Sequence, residues 1–277
     1  MTILILLEGN IKMIKLEHVV LASPEQMEFI IEGMRNPHNS WEKSDSGTGC
    51  YITEDDSVVN KEKYSVGSVA ARCETCTWCE PLCYGEPERR SYILGPNDHD
   101  LMQRLANAGT DHRKFMRMMP VYVRITAPLY WWKQFDCYCV GVVKNSCSTM
   151  HKIQEKEFTL EDFSYEQLDM DGRNVLEDTI DVMNESRAYF NKNKAKNIWW
   201  QMIQLLPSSY NQTRNVMMNY EVLANIYKSR KNHKLDEWRV HETPEEHKDR
   251  VKDFNSGKWG FCDWIESLPY SELITGK

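Results

Sequence analysis

Four short stretches of the sequence carry the side chains that could bind an anion. Small hydroxyl and amide residues in a loop can offer backbone N–H groups to phosphate. An arginine can bind phosphate through two parallel hydrogen bonds. Each stretch also has an ordinary interpretation, as a solvated turn, a loop or a basic helix end that favours the helix dipole. The stretches are 109–115, 133–139, 145–151 and the group Asn219, Asn225, Arg230 and His233.

A compact run of cysteines offers a second kind of chemistry. Its members are Cys73, Cys76, Cys79 and Cys83. Thiolates at such spacings can converge on tetrahedral zinc, which is favoured here over an iron–sulfur cluster. The run lacks the two separated CxxC pairs of a strong zinc motif, so a reduced cysteine-rich loop is the alternative. We expect a structural metal site.

Composition and charge exclude several classes of protein. The chain has 277 residues, 41% hydrophobic and 27% charged, which is typical of a globular protein. Its formal net charge is −7, from 34 Lys and Arg against 41 Asp and Glu. A net negative charge argues against nonspecific binding to nucleic acid, which depends on clustered cations. An odd count of nine cysteines argues against a secreted disulfide framework.

The first residues do not match the pattern expected of a targeting segment. Its apolar run of five residues is too short for a membrane span and lacks the basic start of a secretory signal. No other stretch reaches membrane length, so we expect a cytoplasmic protein with no membrane partner. Met13 opens a cleaner segment, so either Met1 or Met13 could be the start.

The elements that must position these groups follow from hydrophobic periodicity and breakers. A single domain over 1–277 is predicted, with 42–97 as a cysteine-containing insertion and 239–277 as a C-terminal tail that docks on the main body. Strands are predicted at 14–22 and 120–126, helices at 24–34, from 97 and at 129–135, and a polar loop at 144–149. Beyond residue 160 the pattern predicts three helices, around 176–183, 198–206 and 209–230.

The segment 125–135 reads Ile-Thr-Ala-Pro-Leu-Tyr-Trp-Trp-Lys-Gln-Phe. It resembles the flavin-dependent thymidylate synthases, in which a strand ends at Thr-Ala-Pro and a helix follows with Arg-Gln-Phe. The stretch from Leu206 and Pro207 to Glu237 and Trp238 is similar to the family's L-P turn and its ending N…N…R…H…E. The resemblance covers roughly 95–240 in the same order.

The sequence departs from the family at its arginines. The family's R-H-R is replaced by Cys137, Tyr138 and Cys139. Its N-E-x-S-x-R-Y is matched by 145–151 only after a one-residue insertion, without the Glu, Arg and Tyr. The arginine before the L-P turn is missing. The remaining local cations and histidines that could substitute are His112, Arg113, Lys114, Lys144 and His151.

What the resemblance implies is a fold, a reaction and a set of residues. It implies an α/β (α+β) fold, with a central, mostly antiparallel sheet and a largely helical C-terminal half. It implies a homotetrameric enzyme that methylates deoxyuridylate or a related pyrimidine nucleotide, with FAD, NADPH and methylenetetrahydrofolate. By resemblance, the catalytic or nucleotide-binding residues are Arg230, Gln134 and Ser148, with Cys147 as the rival of Ser148. The cofactor-binding residues are His112, Asn145, Asn219, Asn225 and His233.

Two alternatives stay open beside this enzyme. The first is a noncatalytic homologue that binds a nucleotide or a protein partner and has lost the flavin chemistry, which the missing R-H-R favours. The second is a metal-stabilised interaction module, which rests on the cysteine run alone.

Overall fold

A computed structural model of the chain describes residues 14–50, 90–241 and 260–276. The cysteine run 73–83, in which a metal site is predicted, lies outside the described residues. So do both alternative starts of the chain.

Helices and strands alternate along the first half of the chain, and longer helices dominate the second. The strands are β1 (Lys15–Leu21), β2 (Gly47–Cys50), β3 (Arg90–Ile93), β4 (Pro120–Pro128), β5 (Val143–Ser146) and β6 (Asn211–Asn219). The helices are α1 (Pro24–Arg35), α2 (Pro96–Asn107), α3 (Phe115–Met118), α4 (Leu129–Phe135), α5 (Met170–Asn193), α6 (Lys196–Leu205), α7 (Tyr220–Arg230), α8 (Phe261–Ser267) and α9 (Glu272–Thr275). None of the helices in the described ranges is long and apolar enough to cross a membrane.

A four-stranded antiparallel sheet lies at the centre of the fold, in the order β1-β4-β6-β5. Along β4 the buried residues Val121, Val123 and Ile125 alternate with exposed Tyr122 and Arg124, as expected for a strand with one face in the core. The α/β fold with a mostly antiparallel sheet is therefore confirmed.

The chain divides into two compact units. The first comprises Met1–Val19, Tyr122–Met217 and Ile226–Pro269. Its core is aromatic: Trp131 stacks on Trp238 at 4.4 Å and on Phe135 at 5.1 Å between ring centroids. Phe261, from the C-terminal tail, lies edge-on against Trp131 at 5.6 Å. These large buried rings hold α4 in place, because each fully buried aromatic side chain removes a large apolar area from water.

The second unit comprises Val20–Val121, Met218–Asn225 and Tyr270–Lys277. Helix α1 begins with a capping box in which Ser23 and Gln26 bond each other's backbone N–H groups. Strands β2 and β3 pair antiparallel in the register Gly47↔Ile93 and bring together the chain on either side of 51–89. The prediction of a single domain, with an insertion and a docking tail, stays a prediction.

Two local predictions were wrong. The predicted loop 144–149 begins as strand β5, which pairs antiparallel with β6 and places Ser146 opposite Arg214. The predicted helix 209–230 is strand β6 followed by helix α7. Tertiary pairing overrode the local pattern, because the polar stretch at 211–215 carries little hydrophobic periodicity of either kind.

Candidate functional site

Arg230 lies at the centre of a polar and aromatic cluster in the first unit. Its Nη1 donates a hydrogen bond to Gln134 Oε1 at 2.9 Å, and its Nε donates to Tyr138 Oη at 3.1 Å. The guanidinium also lies over the Trp238 ring, 5.1 Å from the centroid. Stacking and a planar donor fork suit arginine and would not suit lysine. We call Arg230, Gln134, Tyr138, Trp238 and His233 the Arg230 cluster.

Local structure explains why these groups meet. Trp131 and Phe135 are fully buried one helical turn apart, which turns the adjacent Gln134 toward the surface of α4. Tyr138 follows one turn later, just after the helix. Arg230 is the last residue of α7.

His233 completes the cluster as a neutral donor. Burial, and then the charge of Arg230, lower the pKa of His233 below its usual value, although Glu237 opposes the shift. Its Nδ1 accepts a hydrogen bond from the backbone N–H of Leu235 at 3.1 Å. The neutral ring therefore carries its proton on Nε2, which leaves one N–H to donate.

A second group of charges in the same unit contains a residue that the sequence did not indicate. Asp136 accepts from Lys144 Nζ at 2.9 Å and from Arg214 Nη1 at 2.8 Å. Arg214 was overlooked because 209–230 was interpreted as a helix. In the strand, Arg214 lies on the same face as Gln212 and Val216. Because 211–215 is polar throughout, the sequence held no alternation that could have indicated this position.

The structure does not join Ser148 or Asn145 to the Arg230 cluster by any contact among the described residues. Both side chains are exposed. Ser148 Oγ accepts from the backbone N–H of His151 at 3.3 Å, which closes a local turn. Asn145 lies on β5 opposite Asn215. Their assignment to catalysis and cofactor binding stays a prediction.

The remaining candidates belong to the second unit. Asn219 Oδ1 accepts from the backbone N–H of Val222 at 3.0 Å, inside its own helix start. Asn225 Oδ1 accepts from Arg113 Nη2 at 3.1 Å. Both side-chain oxygens thus accept bonds within the protein. His112 is exposed.

A basic turn surrounds His112 in this second unit. The guanidinium groups of Arg113 and Arg117 both bind the carboxylate of Glu221. Hydrogen bonds and charge from Arg117 lower the pKa of Glu221 despite its burial, so this carboxylate is ionised at neutral pH. The turn also carries Lys114 and Asp111, so three cations stand against the two carboxylates of Glu221 and Asp111 and one net positive charge remains.

The described residues offer no alternative metal site. Across 14–50, 90–241 and 260–276, no three His, Cys, Asp or Glu side chains are grouped so that they could hold an ion. The thiols at Cys137, Cys139 and Cys147 are free and exposed, whereas that of Cys262 is free and buried.

No protein-family model and no curated protein matches the sequence. Two solved structures of the thymidylate synthase ThyX from Helicobacter pylori, both with FAD and dUMP, are similar to this chain at a TM-score of 0.49 and 11% identity. The similarity covers 95% of this chain and 96% or 97% of theirs. The UMP/dUMP methylase PolB from Streptomyces cacaoi, bound with 5-Br UMP, has a TM-score of 0.39 and 13% identity, over 59% of this chain and 81% of that one. Similarity at this level leaves the activity to be argued from the residues of the site.

Proposed function

We propose that this protein is a divergent flavin-dependent thymidylate synthase-like enzyme that binds deoxyuridylate, or a related pyrimidine nucleotide, at the Arg230 cluster. The observation that carries the proposal is the bond between Arg230 and Gln134, the two residues that the family resemblance assigns to the nucleotide. They are 96 positions apart in the sequence, and their side chains meet at 2.9 Å.

The donors of the cluster match a pyrimidine base. The two hydrogen bonds of Arg230 use Nε and Nη1, and the described residues supply no acceptor for Nη2. Gln134 accepts through Oε1, so its amide group keeps two N–H donors. The carbonyl oxygens of uracil are acceptors, and the half-buried ring of Tyr138 is a flat surface beside them, whereas Trp238 is fully buried and supports Arg230 from below. A uracil carbonyl held by these donors would lose electron density, which makes its ring more open to addition.

The cofactor belongs to the proposal through the resemblance and through charge. The basic turn around His112 and Arg113 retains a positive charge that fits the diphosphate of FAD. Asn219 and Asn225 would contribute the N–H donors of their amide groups, because their side-chain oxygens already accept bonds within the protein. FAD would supply the hydride, methylenetetrahydrofolate the one-carbon unit and NADPH the reducing equivalents. Assembly as a homotetramer belongs to the same proposal.

A second function is favoured by one specific feature. Exposed Cys137 and Cys139 stand where the family has the arginines of R-H-R, so phosphate contacts worth about 1.5–3 kcal/mol each are missing there. A nucleotide-binding homologue without flavin chemistry would keep the Arg230 cluster and lose these arginines. Flavin content distinguishes the two functions.

The test combines a visible spectrum with nucleotide titration. The enzyme is expected to be purified yellow, or to bind added FAD stoichiometrically, and to be stabilised by dUMP in a thermal-shift assay. A colourless protein that ignores FAD but binds dUMP identifies the noncatalytic homologue. A protein that ignores both ligands refutes the proposal.

A variant of Arg230 tests its assigned role. Arg230→Gln removes a charge-assisted contact, so the Kd for dUMP should rise about 10- to 100-fold while Tm falls by only a few degrees. Arg173→Gln is the matched control, because Arg173 likewise lies over an aromatic ring, 5.2 Å from the centroid of Tyr165, and has its polar partner, Glu177 at 3.1 Å, outside the Arg230 cluster. Equal losses of stability with unchanged dUMP binding would reject the role of Arg230.

A further inference from the structure

We propose that Lys144 and Arg214 bind the phosphate group of the nucleotide, in place of the arginines that are missing from 137–139. This inference rests on the proposed function. It assigns the anionic end of the substrate to a pair of cations from two adjacent strands, β5 and β6.

The charge of the pair is unbalanced. Lys144 and Arg214 share a single carboxylate, that of Asp136, so one positive charge remains. The cations are the more buried partners, with side chains 18% and 14% exposed, whereas that of Asp136 is 45% exposed. Burial raises the pKa of Asp136, but the hydrogen bond from Lys144 and the charge of Arg214 outweigh it, so the net pKa is lowered and the carboxylate is ionised. The excess charge is therefore present at neutral pH.

Packing fixes the guanidinium of Arg214. It lies over the Trp132 ring, 4.1 Å from the centroid, and its Nε donates to Gln212 Oε1 at 2.9 Å. With Nη1 on Asp136, these bonds leave Nη2 to donate. Lys144 Nζ has one hydrogen bond to Asp136 and lies 5.5 Å from the centroid of Phe135, so two of its three N–H groups remain. A fixed fork beside an ammonium group is a suitable set of donors for phosphate.

The loop of small hydroxyl residues is attached to the same group. Gln212 Nε2 donates to the carbonyl of Cys147 at 3.1 Å and to Thr149 Oγ1 at 2.6 Å. One glutamine thus joins Arg214 to both sides of Ser148. The exposed hydroxyl of Ser148 is a further donor that the loop can present, which gives this sequence-predicted residue a role next to the cation pair.

The position of Asp136 relates this group to the Arg230 cluster. Asp136 stands between Gln134 and Tyr138, both of which bind Arg230. The end of α4 therefore contributes to both groups: Gln134 and Tyr138 to the base and Asp136 to the cations that would bind the phosphate. A nucleotide monophosphate is a ligand with both of these features.

The experiment compares dUMP with deoxyuridine, which lacks the phosphate, by calorimetric titration of the full-length protein. Arg214→Gln and Lys144→Gln should each weaken dUMP binding about tenfold and leave deoxyuridine binding unchanged. Asp136→Asn should strengthen dUMP binding, because it removes the competing carboxylate. Arg173→Gln should change neither. Lys144→Gln keeps the test valid if Arg214→Gln disturbs folding, since the Lys144 side chain makes a single hydrogen bond to the described residues, to Asp136.

The outcomes separate the phosphate site from the proposed function. If dUMP binds both variants as it binds the wild type, or if dUMP and deoxyuridine lose affinity equally, the phosphate assignment is wrong while nucleotide binding stands. Riboflavin serves as the phosphate-free reference for FAD, as deoxyuridine does for dUMP. If Arg214→Gln weakens the binding of FAD but not of riboflavin, and leaves dUMP binding unchanged, Lys144 and Arg214 bind the cofactor and the assignment is also wrong. If the wild type binds no nucleotide, the proposed function fails. Inorganic phosphate then tests the site alone, and equal stabilisation of wild type and Arg214→Gln by phosphate refutes it.

Discussion

The buried carboxylate of Asp98 should be among the most important polar groups for the stability of the second unit. Its side chain is completely buried. Oδ1 accepts from Arg35 Nε at 2.5 Å, and Oδ2 accepts from the hydroxyls of Ser44 and Ser46 and from the backbone N–H groups of Asp45 and Ser46. It therefore ties α1 and the segment 44–46 to the first turn of α2.

Replacing Asp98 by Ala should lower the free energy of unfolding by about 3–5 kcal/mol, because it leaves a buried guanidinium and two backbone donors without their acceptor. Arg35→Ala should cost less, about 2 kcal/mol, because four donors still satisfy the carboxylate. The order of the two losses follows from the geometry, since Ser44, Asp45 and Ser46 still donate to the carboxylate when Arg35 is removed.

Urea unfolding followed by far-UV circular dichroism measures these losses. Asp100→Ala is the control on the same helix: its ion pair with Arg104 is exposed, with side chains 67% and 66% exposed, and should contribute less than about 0.5 kcal/mol. A loss below about 1 kcal/mol for Asp98→Ala, or a larger loss for Arg35→Ala, would refute the reasoning.

The same carboxylate predicts an acid dependence. Burial raises the pKa of Asp98, but the hydrogen bonds from Ser46, Ser44 and Arg35 lower it by more than burial raises it. The net pKa therefore lies below the usual value. A lowered folded pKa contributes stability above the unfolded value of about 3.9, and this is lost as the pH falls through the folded value. Asp98→Asn should therefore flatten the decline of stability in acid.

Two further predictions concern the first unit. Burial and the charge of Arg230 lower the pKa of His233, so the stability linked to this group is complete above about pH 6.5 and declines as the pH falls. The variant His233→Gln should therefore reduce the slope of Tm against pH between about pH 5 and 7. An unchanged slope would contradict this prediction. Burial raises the pKa of the Cys262 thiol well above its usual range, so mass-spectrometric mapping after iodoacetamide treatment of native protein should find Cys137 and Cys139 modified and Cys262 intact. If Cys262 were labelled as fast as Cys137, the thiol of Cys262 would be accessible to the reagent and the prediction would be wrong.

Local signals in the sequence were sufficient for several elements. Ser23 and Pro24 predicted the start of α1, and the helix predicted at 129–135 is observed as Leu129–Phe135. In both cases the determining residues are neighbours: a cap and a proline for α1, and a proline followed by closely spaced aromatic side chains for α4.

The resemblance to a family pointed to three residues of the Arg230 cluster, namely Gln134, Arg230 and His233, which the amino-acid composition would not reveal. Gln134 and Arg230 were named together, and their side chains are bonded. The contributions of Tyr138 and Trp238 were not predicted, because a tyrosine in a turn and a tryptophan near the C-terminal end have no local pattern that joins them to an arginine elsewhere.

The sequence by itself determined the elements whose signals lie within one or two helical turns, together with the excess of acidic residues. Only the tertiary structure decided that 211–219 is a strand and that Arg214 shares Asp136 with Lys144. The reason is that strand pairing is a long-range interaction: β6 finds hydrogen-bond partners in β5, 68 to 74 residues earlier, and its own residues do not specify that choice. This pairing places Lys144 and Arg214 beside the carboxylate of Asp136. The candidate phosphate site can therefore be identified only from the paired strands.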